Sequence, residues 1–228
     1  MASRPTRRQP PAAGKAGARA SADVAARRYD PAETRSRVLE AAYMLFGKHG
    51  YSATGTADIA READVSEGSI FYHFGSKHAL LIELGRLHGE KMIAAMEAGD
   101  DIAGLSFDVT INRCFDFCEV HNMWDEVGDG DCHAKTAAGK HNPDSAPFFE
   151  ATREVVVDWT RRHIEALARR EGYELPNSAI TAQLVFALVG AALQQYFADG
   201  TSTQDQQRIR RETVRFLAAA TLSSAASQ

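Results

Sequence analysis

Between Thr54 and Gly75 the chain places two short helical patterns end to end with almost no connector, and this spacing limits what the chain can become more than any other feature. The first opens near Thr54 to Thr56 and runs through Ile59 and Ala60 to Ala63. Asp64 and Val65 make a turn, and Ser66 caps the second, whose inward side is Ile70 and Phe74, four residues apart. Gly75 and Ser76 end it. Upstream, Asp30-Pro31-Ala32-Glu33 reads as a helix start, with a capping side chain and proline at the first helical position. Val38, Ala41, Ala42, Leu45 and Phe46 then recur at helical spacing as far as Gly50. Three helices therefore form one small head, with Ile70, Phe74, Ile59 and Leu45 as its core. Tyr51 and His49 serve as packing and capping groups.

The remainder keeps the helical period. A fourth helix from Lys77 towards Gly99 carries Leu80, Leu81, Leu84, Leu87, Met92 and Met96. Further helices are expected over 105–122, 147–171, 177–199 and 204–224, punctuated by Pro147, Gly172, Pro176 and Gly200. No strand pattern or internal repeat is found, and 125–146, rich in charge with several Gly and Pro, reads as a long loop. The expected fold class is all-α: a three-helix head with a helix-turn-helix over 30–76, followed by a larger helical bundle over 77–228. Residues 1–29, with five Pro or Gly and low hydrophobicity, are expected to be a disordered basic arm.

A 44% hydrophobic composition over 228 residues suffices for at least one sizeable core. The longest apolar run, Leu184 to Leu193, falls short of the ~20 residues of a membrane-spanning helix, and the arm lacks a secretory apolar stretch. Three cysteines, Cys114, Cys118 and Cys132, confined to one region, fit a reducing cytoplasm and no disulfide framework. The net charge of −4 is unevenly placed. Residues 1–35 hold eight Lys or Arg against three Asp or Glu, a surplus of five positive charges, which leaves −9 on the rest. A basic end that meets phosphate on an otherwise acidic body is the implied arrangement, the alternative being a solvated tail.

A short helix with small residues at its start suits the DNA major groove, which is ~12 Å wide and admits one helix whose first residues reach the base edges. Gly68 and Ser69 let the backbone approach. Tyr72 offers a ring to a thymine methyl or a hydroxyl to a base edge, and His73 and Lys77 suit phosphate oxygens. Glu67 either accepts from a cytosine amino group or favours the helix N-terminus. Arg19, Arg27 and Arg28, just ahead of the head, can follow the minor groove or the backbone.

From Thr34 to Leu81 the sequence closely resembles the DNA-binding region of the TetR/AcrR family of transcriptional regulators. The resemblance rests on LEAAYMLFGKHGY with Phe46 and Gly50-Tyr51, on Thr54, Asp58, Ile59 and Ala60, and on VSEGSIFYHFGSKHALL. It implies DNA contacts at Thr56, Ser66, Glu67, Gly68, Ser69, Tyr72, His73 and Lys77. Phe71 departs from a tyrosine usual in the family, and Asp64 from a glycine in the turn, which Asp tolerates at some strain. The resemblance also implies a cytoplasmic repressor that binds a palindromic double-stranded operator as a homodimer and is released by a small-molecule effector. Its dimer would form through the last two helices. The apolar circumference of 177–199 (Ile180, Leu184, Val185, Phe186, Leu188, Val189, Leu193, Phe197) agrees with that, as it would with burial inside one chain. An effector pocket lined by Met92, Phe107, Ile111, Phe115, Cys118, Trp124, Phe149, Trp159 and Phe186 is expected between head and dimer bundle, although each of these also reads as ordinary core.

A second reading keeps the scaffold and changes the signal. Cys114, Cys118 and His121 stand at i, i+4 and i+7, with Cys132-His133 on the following loop, a set that can bind zinc or copper or respond to oxidants. Equally, cysteines at this spacing fill core gaps. The acidic stretch Asp125 to Asp131 lacks the ligand order of a calcium loop and reads as solvated. A reading from another class, an enzyme using Cys118 or Cys132 with His121 or His133, finds no nucleophile elbow, phosphate loop or zinc-protease motif. No cofactor is expected.

Overall fold

The computed structural model describes residues 30–121 and 144–222, with side chains described as far as residue 220. The basic arm, Trp124, the acidic stretch and the Cys132-His133 pair lie outside the described residues. Within them the secondary structure is eight α-helices and no strand.

The head comprises α1 (Pro31–His49), α2 (Thr56–Glu62) and α3 (Glu67–Phe74). The Asp30 carboxylate caps α1 by accepting from the amides of Ala32 at 2.9 Å and Glu33 at 3.4 Å, satisfying two donors that the first helical turn leaves open. Between α2 and α3, Asp64 takes φ 51°, a left-handed conformation that costs a non-glycine residue strain. Its carbonyl accepts from the Arg37 guanidinium of α1 at 2.9 Å, which braces the turn. Val38, Ala42, Ile59 and Ile70 are buried at the centre of these three helices.

The body begins with α4 (Lys77–Glu97), continues with α5 (Phe107–His121) and α6 (Ala146–Glu171), and ends with α7 (Ser178–Tyr196) and α8 (Thr203–Leu222). Two apolar clusters form, and neither stops at residue 76. The head cluster takes in Leu80, Leu81 and Leu84 from the first turns of α4 and Phe148 from the start of α6. The body cluster gathers Met92 and Met96 of α4 with α5, α6, α7 and Leu217 of α8. One helix thus contributes its first half to one core and its second half to the other.

The α4–α6 crossing is unusually close because of two glycines. A Cβ on Gly85 would lie 2.2 Å from the Phe148 carbonyl oxygen, and one on Gly89 would lie 3.1 Å from the Val155 side chain. At this crossing the Thr152 hydroxyl is 2.9 Å from the Gly85 oxygen and 3.0 Å from the Phe148 oxygen, so a hydrogen bond links the two helices. The α4–α5 connector is held from α5 and α6. Arg113 donates to the carbonyls of Met96 and Glu97 that end α4, and Arg170 donates to those of Ala103 and Leu105.

The helix α7 is 19 residues long with mean hydropathy 1.3, long and apolar enough to cross a membrane by length and composition alone. A count of uninterrupted apolar residues underestimates it, since isolated Gln and Thr lie within the span. Ala182, Val185, Val189, Leu193 and Tyr196 face the body, whereas Ile180 and Leu184 are exposed, the latter at 65%.

Candidate nucleic-acid interface and interior cavity

At the first site, the order of small and polar residues in α3 decides what is displayed. The Ser66 hydroxyl accepts from the Ser69 amide at 3.2 Å, closing the N-terminus, and the Ser66 and Ser69 hydroxyl oxygens lie 2.8 Å apart. Ile70 is fully buried, so the opposite side of the helix faces outward: Glu67 and Gly68 are exposed and Tyr72 is 77% exposed. Its ring stands edge-on to that of half-buried His73 at 5.0 Å. Phe71 is also largely open to solvent. The Thr56 hydroxyl donates to the Glu67 carboxylate, tying the start of α2 to the start of α3. Seven of the eight residues expected to touch DNA therefore lie together on or beside one open face.

The eighth, Lys77, has a second engagement that its position in the sequence did not announce. Its ammonium donates to the carbonyls of Tyr51 at 2.9 Å and Thr54 at 3.0 Å and sits 4.1 Å from the centre of the Tyr51 ring. It holds the α1–α2 loop against the start of α4, a role set by the folded path of that loop. Behind the open face, the Arg35 guanidinium of α1 pairs with Glu83 of α4 and covers the Phe74 ring at 5.3 Å.

At the second site, a cavity of about 390 Å3 lies between α4, α5, α6 and α7. Of the residues expected there, Met92, Phe107, Ile111, Phe149, Trp159 and Phe186 line it. Phe115 and Cys118 do not, and the expectation for them is corrected. Phe115 turns towards α7 and α8, where the Tyr196 ring meets it edge-on at 5.1 Å and the Arg210 guanidinium covers it at 5.7 Å. That side is also polar. Arg210 binds the Asn112 side chain and carbonyl and pairs with Asp116 at 2.7 Å, while the Tyr196 hydroxyl donates to Glu119. Burial, then the Glu119 carboxylate, pushes the Tyr196 pKa up to about 12. Cys118 is buried in the body core away from the cavity. Trp124 lies outside the described residues.

The cavity wall also contains polar residues that a search for apolar and aromatic lining passed over: His88, Thr110, Thr152, Thr160 and His163. The signal was present in α6, where Thr152, Val156, Trp159, Thr160 and His163 share one helical face and all are buried. His163 is fully buried, stacked between Phe107 at 5.7 Å and Trp159 at 5.0 Å, with Nδ1 3.2 Å from the Ile102 carbonyl. Burial depresses its pKa.

The Cys/His set does not assemble into a metal site among the described residues. Cys114 is on the cavity wall and Cys118 in the core, and His121 places Nδ1 2.9 Å from the Phe117 carbonyl with its ring stacked on Phe117. No group of three or more His, Cys, Asp or Glu residues is arranged to hold a metal ion among the described residues. Cys114 is a free thiol.

Comparison with known proteins places these features in a family. Residues 38–84 match the model of bacterial regulatory proteins of the tetR family. Over 74 residues the chain is 39% identical to the HTH-type transcriptional regulator TtgR of Pseudomonas putida, a match covering 31% of this chain and 35% of that protein. The chain thus spans about a third of the length of this curated relative. A crystal structure assigned to the TetR family from Syntrophomonas wolfei superposes with a TM-score of 0.64 at 14% identity, over 87% of this chain and 100% of the other. The regulator FadR of Bacillus subtilis, solved with stearoyl-CoA, gives a TM-score of 0.58 at 15% identity, over 81% and 97%. A matching head sequence identifies residues 38–84 as a DNA-binding region of the kind found in bacterial regulatory proteins of the tetR family, and the all-helical body behind it has the fold of the solved TetR-family structures.

Proposed function

We propose that this chain is a cytoplasmic transcriptional regulator that binds a palindromic DNA operator as a homodimer and represses until a small molecule fills the cavity. The observation that carries the proposal is the open face of α3, from Ser66 to His73, on a head whose core is closed behind it by Ile59 and Ile70. Ser66, Gly68 and Ser69 let the helix start approach the groove, and Thr56 joins them from the start of α2. Tyr72 reads a base edge or methyl group, and half-buried His73 meets the backbone. Glu67, held by Thr56, orders the junction of the two helices. Lys77 positions the loop above them and has a further N–H to offer a phosphate. The unit 30–76 acts as reading head and 77–228 as sensor and dimer bundle.

Pairing is supported by the exposed apolar residues of the last two helices, Ile180 and Leu184 on α7 and Phe216 on α8. A single head reads too few base pairs, and two heads at a fixed spacing read a palindrome. Release is supported by α4, which carries head-core leucines at one end and cavity residues His88, Met92 and Met96 further along. A ligand that favours a different α4 position shifts the population away from the operator-binding state by its differential affinity.

Selection of bound duplexes from a random pool by the full chain tests the proposal, and a palindrome is the expected product. Tyr72→Ala then relaxes preference at particular bases by about tenfold, whereas His73→Ala weakens all sequences alike. A monomer indifferent to duplexes at low ionic strength refutes the reading.

A further inference from the structure

Taking the cavity as the effector site proposed above, we infer that the effector is an uncharged, largely apolar molecule that donates a hydrogen bond, of the phenol or alcohol class, to Nε2 of His163. The argument begins with the tautomer. A carbonyl oxygen only accepts, so the 3.2 Å approach of His163 Nδ1 to the Ile102 oxygen puts the proton of the neutral ring on Nδ1. Nε2 is then a bare lone pair. It is buried and has no hydrogen-bond partner among the described residues. An unpaired acceptor in the interior costs free energy that a ligand donor would recover. Stacking between Phe107 and Trp159 fixes the ring plane, so the acceptor direction is set before a ligand arrives.

The surrounding wall supports the same polarity. Thr110 and Thr160 each place a hydroxyl within 3.0 Å of a carbonyl oxygen in their own helix, and the Thr152 hydroxyl lies within 3.0 Å of the Gly85 and Phe148 carbonyl oxygens, so their protons are committed and lone pairs remain. The Trp159 indole N–H donates to Glu97 at 2.7 Å. Among the described residues Arg153 is the only Lys or Arg on the wall and Glu150 the only carboxylate, and the Arg153 guanidinium is bonded to Glu150. The wall therefore offers acceptors to a ligand while these donors are engaged. An anionic head group would meet an acceptor without a free cation, and a molecule with acceptors alone would leave Nε2 unpaired.

The probes are 4-propylphenol, 4-propylanisole, which only accepts, and 4-propylbenzoate, which is anionic, titrated calorimetrically into the full chain without DNA. The phenol is expected to bind about tenfold more tightly than either, the worth of one hydrogen bond to a buried acceptor. In H163F, which keeps a flat stacking ring and removes the acceptor, the gap between phenol and anisole closes. Equal or tighter binding of the anisole or benzoate overturns the inference, as does binding of none of the three or a gap that survives in H163F. If H163F does not fold, the three titrations on the unaltered protein decide. Operator release is read separately. Phenol-selective binding that leaves the operator complex intact refutes the regulatory reading and keeps the ligand class, whereas operator release by phenol and anisole alike does the reverse.

Discussion

Replacing Gly85 by alanine tests whether the α4–α6 crossing is the rigid joint between the head and the cavity. The added Cβ would sit 2.2 Å from the Phe148 carbonyl oxygen and 3.0 Å from the Ala151 Cβ, whereas ordinary contacts begin near 3.4 Å. Backbone oxygen in a helix has no rotamer by which to withdraw, so the two helices must separate by about 1 Å, and overpacking of this kind costs about 1–3 kcal/mol. The same separation stretches the 2.9 Å hydrogen bond from Thr152 to Gly85, worth about 1 kcal/mol. Against this, alanine is the better helix former by about 0.5–1 kcal/mol. The net loss is about 1–3 kcal/mol, and at ~2–4 °C per kcal/mol for a chain of this size the melting temperature falls by roughly 4–8 °C at the centre of that range. Gly89→Ala is the internal control. Its nearest contacts are the Val155 side-chain carbons at 3.1 and 3.2 Å and the Thr152 carbonyl oxygen at 3.3 Å, each short of ordinary contact by only a few tenths of an ångström, so helix propensity nearly offsets the cost and the shift stays within ~2 °C. Thermal unfolding followed by circular dichroism, with operator affinity on the same samples, measures both. Gly85→Ala melting at or above the wild type, or Gly89→Ala melting as low, refutes the reasoning.

Phe148 is 2% exposed in the head cluster although it belongs to α6, so Phe148→Ala is expected to lose about 3–5 kcal/mol and to weaken operator binding, checked by urea unfolding and gel shift. His163 is held neutral by burial, its pKa below the ordinary 6.5, so below that pH the unfolded chain takes up a proton that the folded chain refuses and stability falls with pH. Urea midpoints measured from pH 7.5 down to 5.5 should fall less steeply in H163F than in the wild type; parallel slopes would refute the assignment. Leu184→Glu places a charge on an exposed apolar position of α7 and is expected to shift sedimentation from dimer to monomer without changing the helical spectrum; an unchanged dimer would move the interface elsewhere.

How much of this was legible in the sequence depended on how local each cause was. Helix boundaries followed from neighbouring residues: Asp30, Ser66 and Ser76 each accept from an amide two or three residues on, and Gly172 stops α6 in a left-handed conformation. The outward face of α3 followed from Ile70 alone, because burying one side of a two-turn helix fixes what the other side displays. Lys77, Phe115 and His163 depended instead on partners 23 to 95 residues away in the chain: Tyr51 and Thr54 hold the lysine, Tyr196 and Arg210 claim the phenylalanine, and Ile102 with Phe107 fixes the imidazole. Residue type could not announce these pairings.

The same distinction bears on how the two halves of the molecule communicate. Had the head owned its core outright, a ligand in the cavity could move α4 and leave α3 undisturbed. Instead Leu80, Leu81, Leu84 and Phe148 belong to the head core, while Met92, Met96, Thr152 and Val156, further along the same two helices, line the cavity. The helices cross at Gly85 with no side chain between them and a hydroxyl bond across the contact. A closely packed crossing of this kind transmits displacement in place of absorbing it, because interiors at native density deform little. On the function proposed above, a ligand that parts the walls near Thr152 would move Phe148 within the head core and with it the orientation of α3 on DNA.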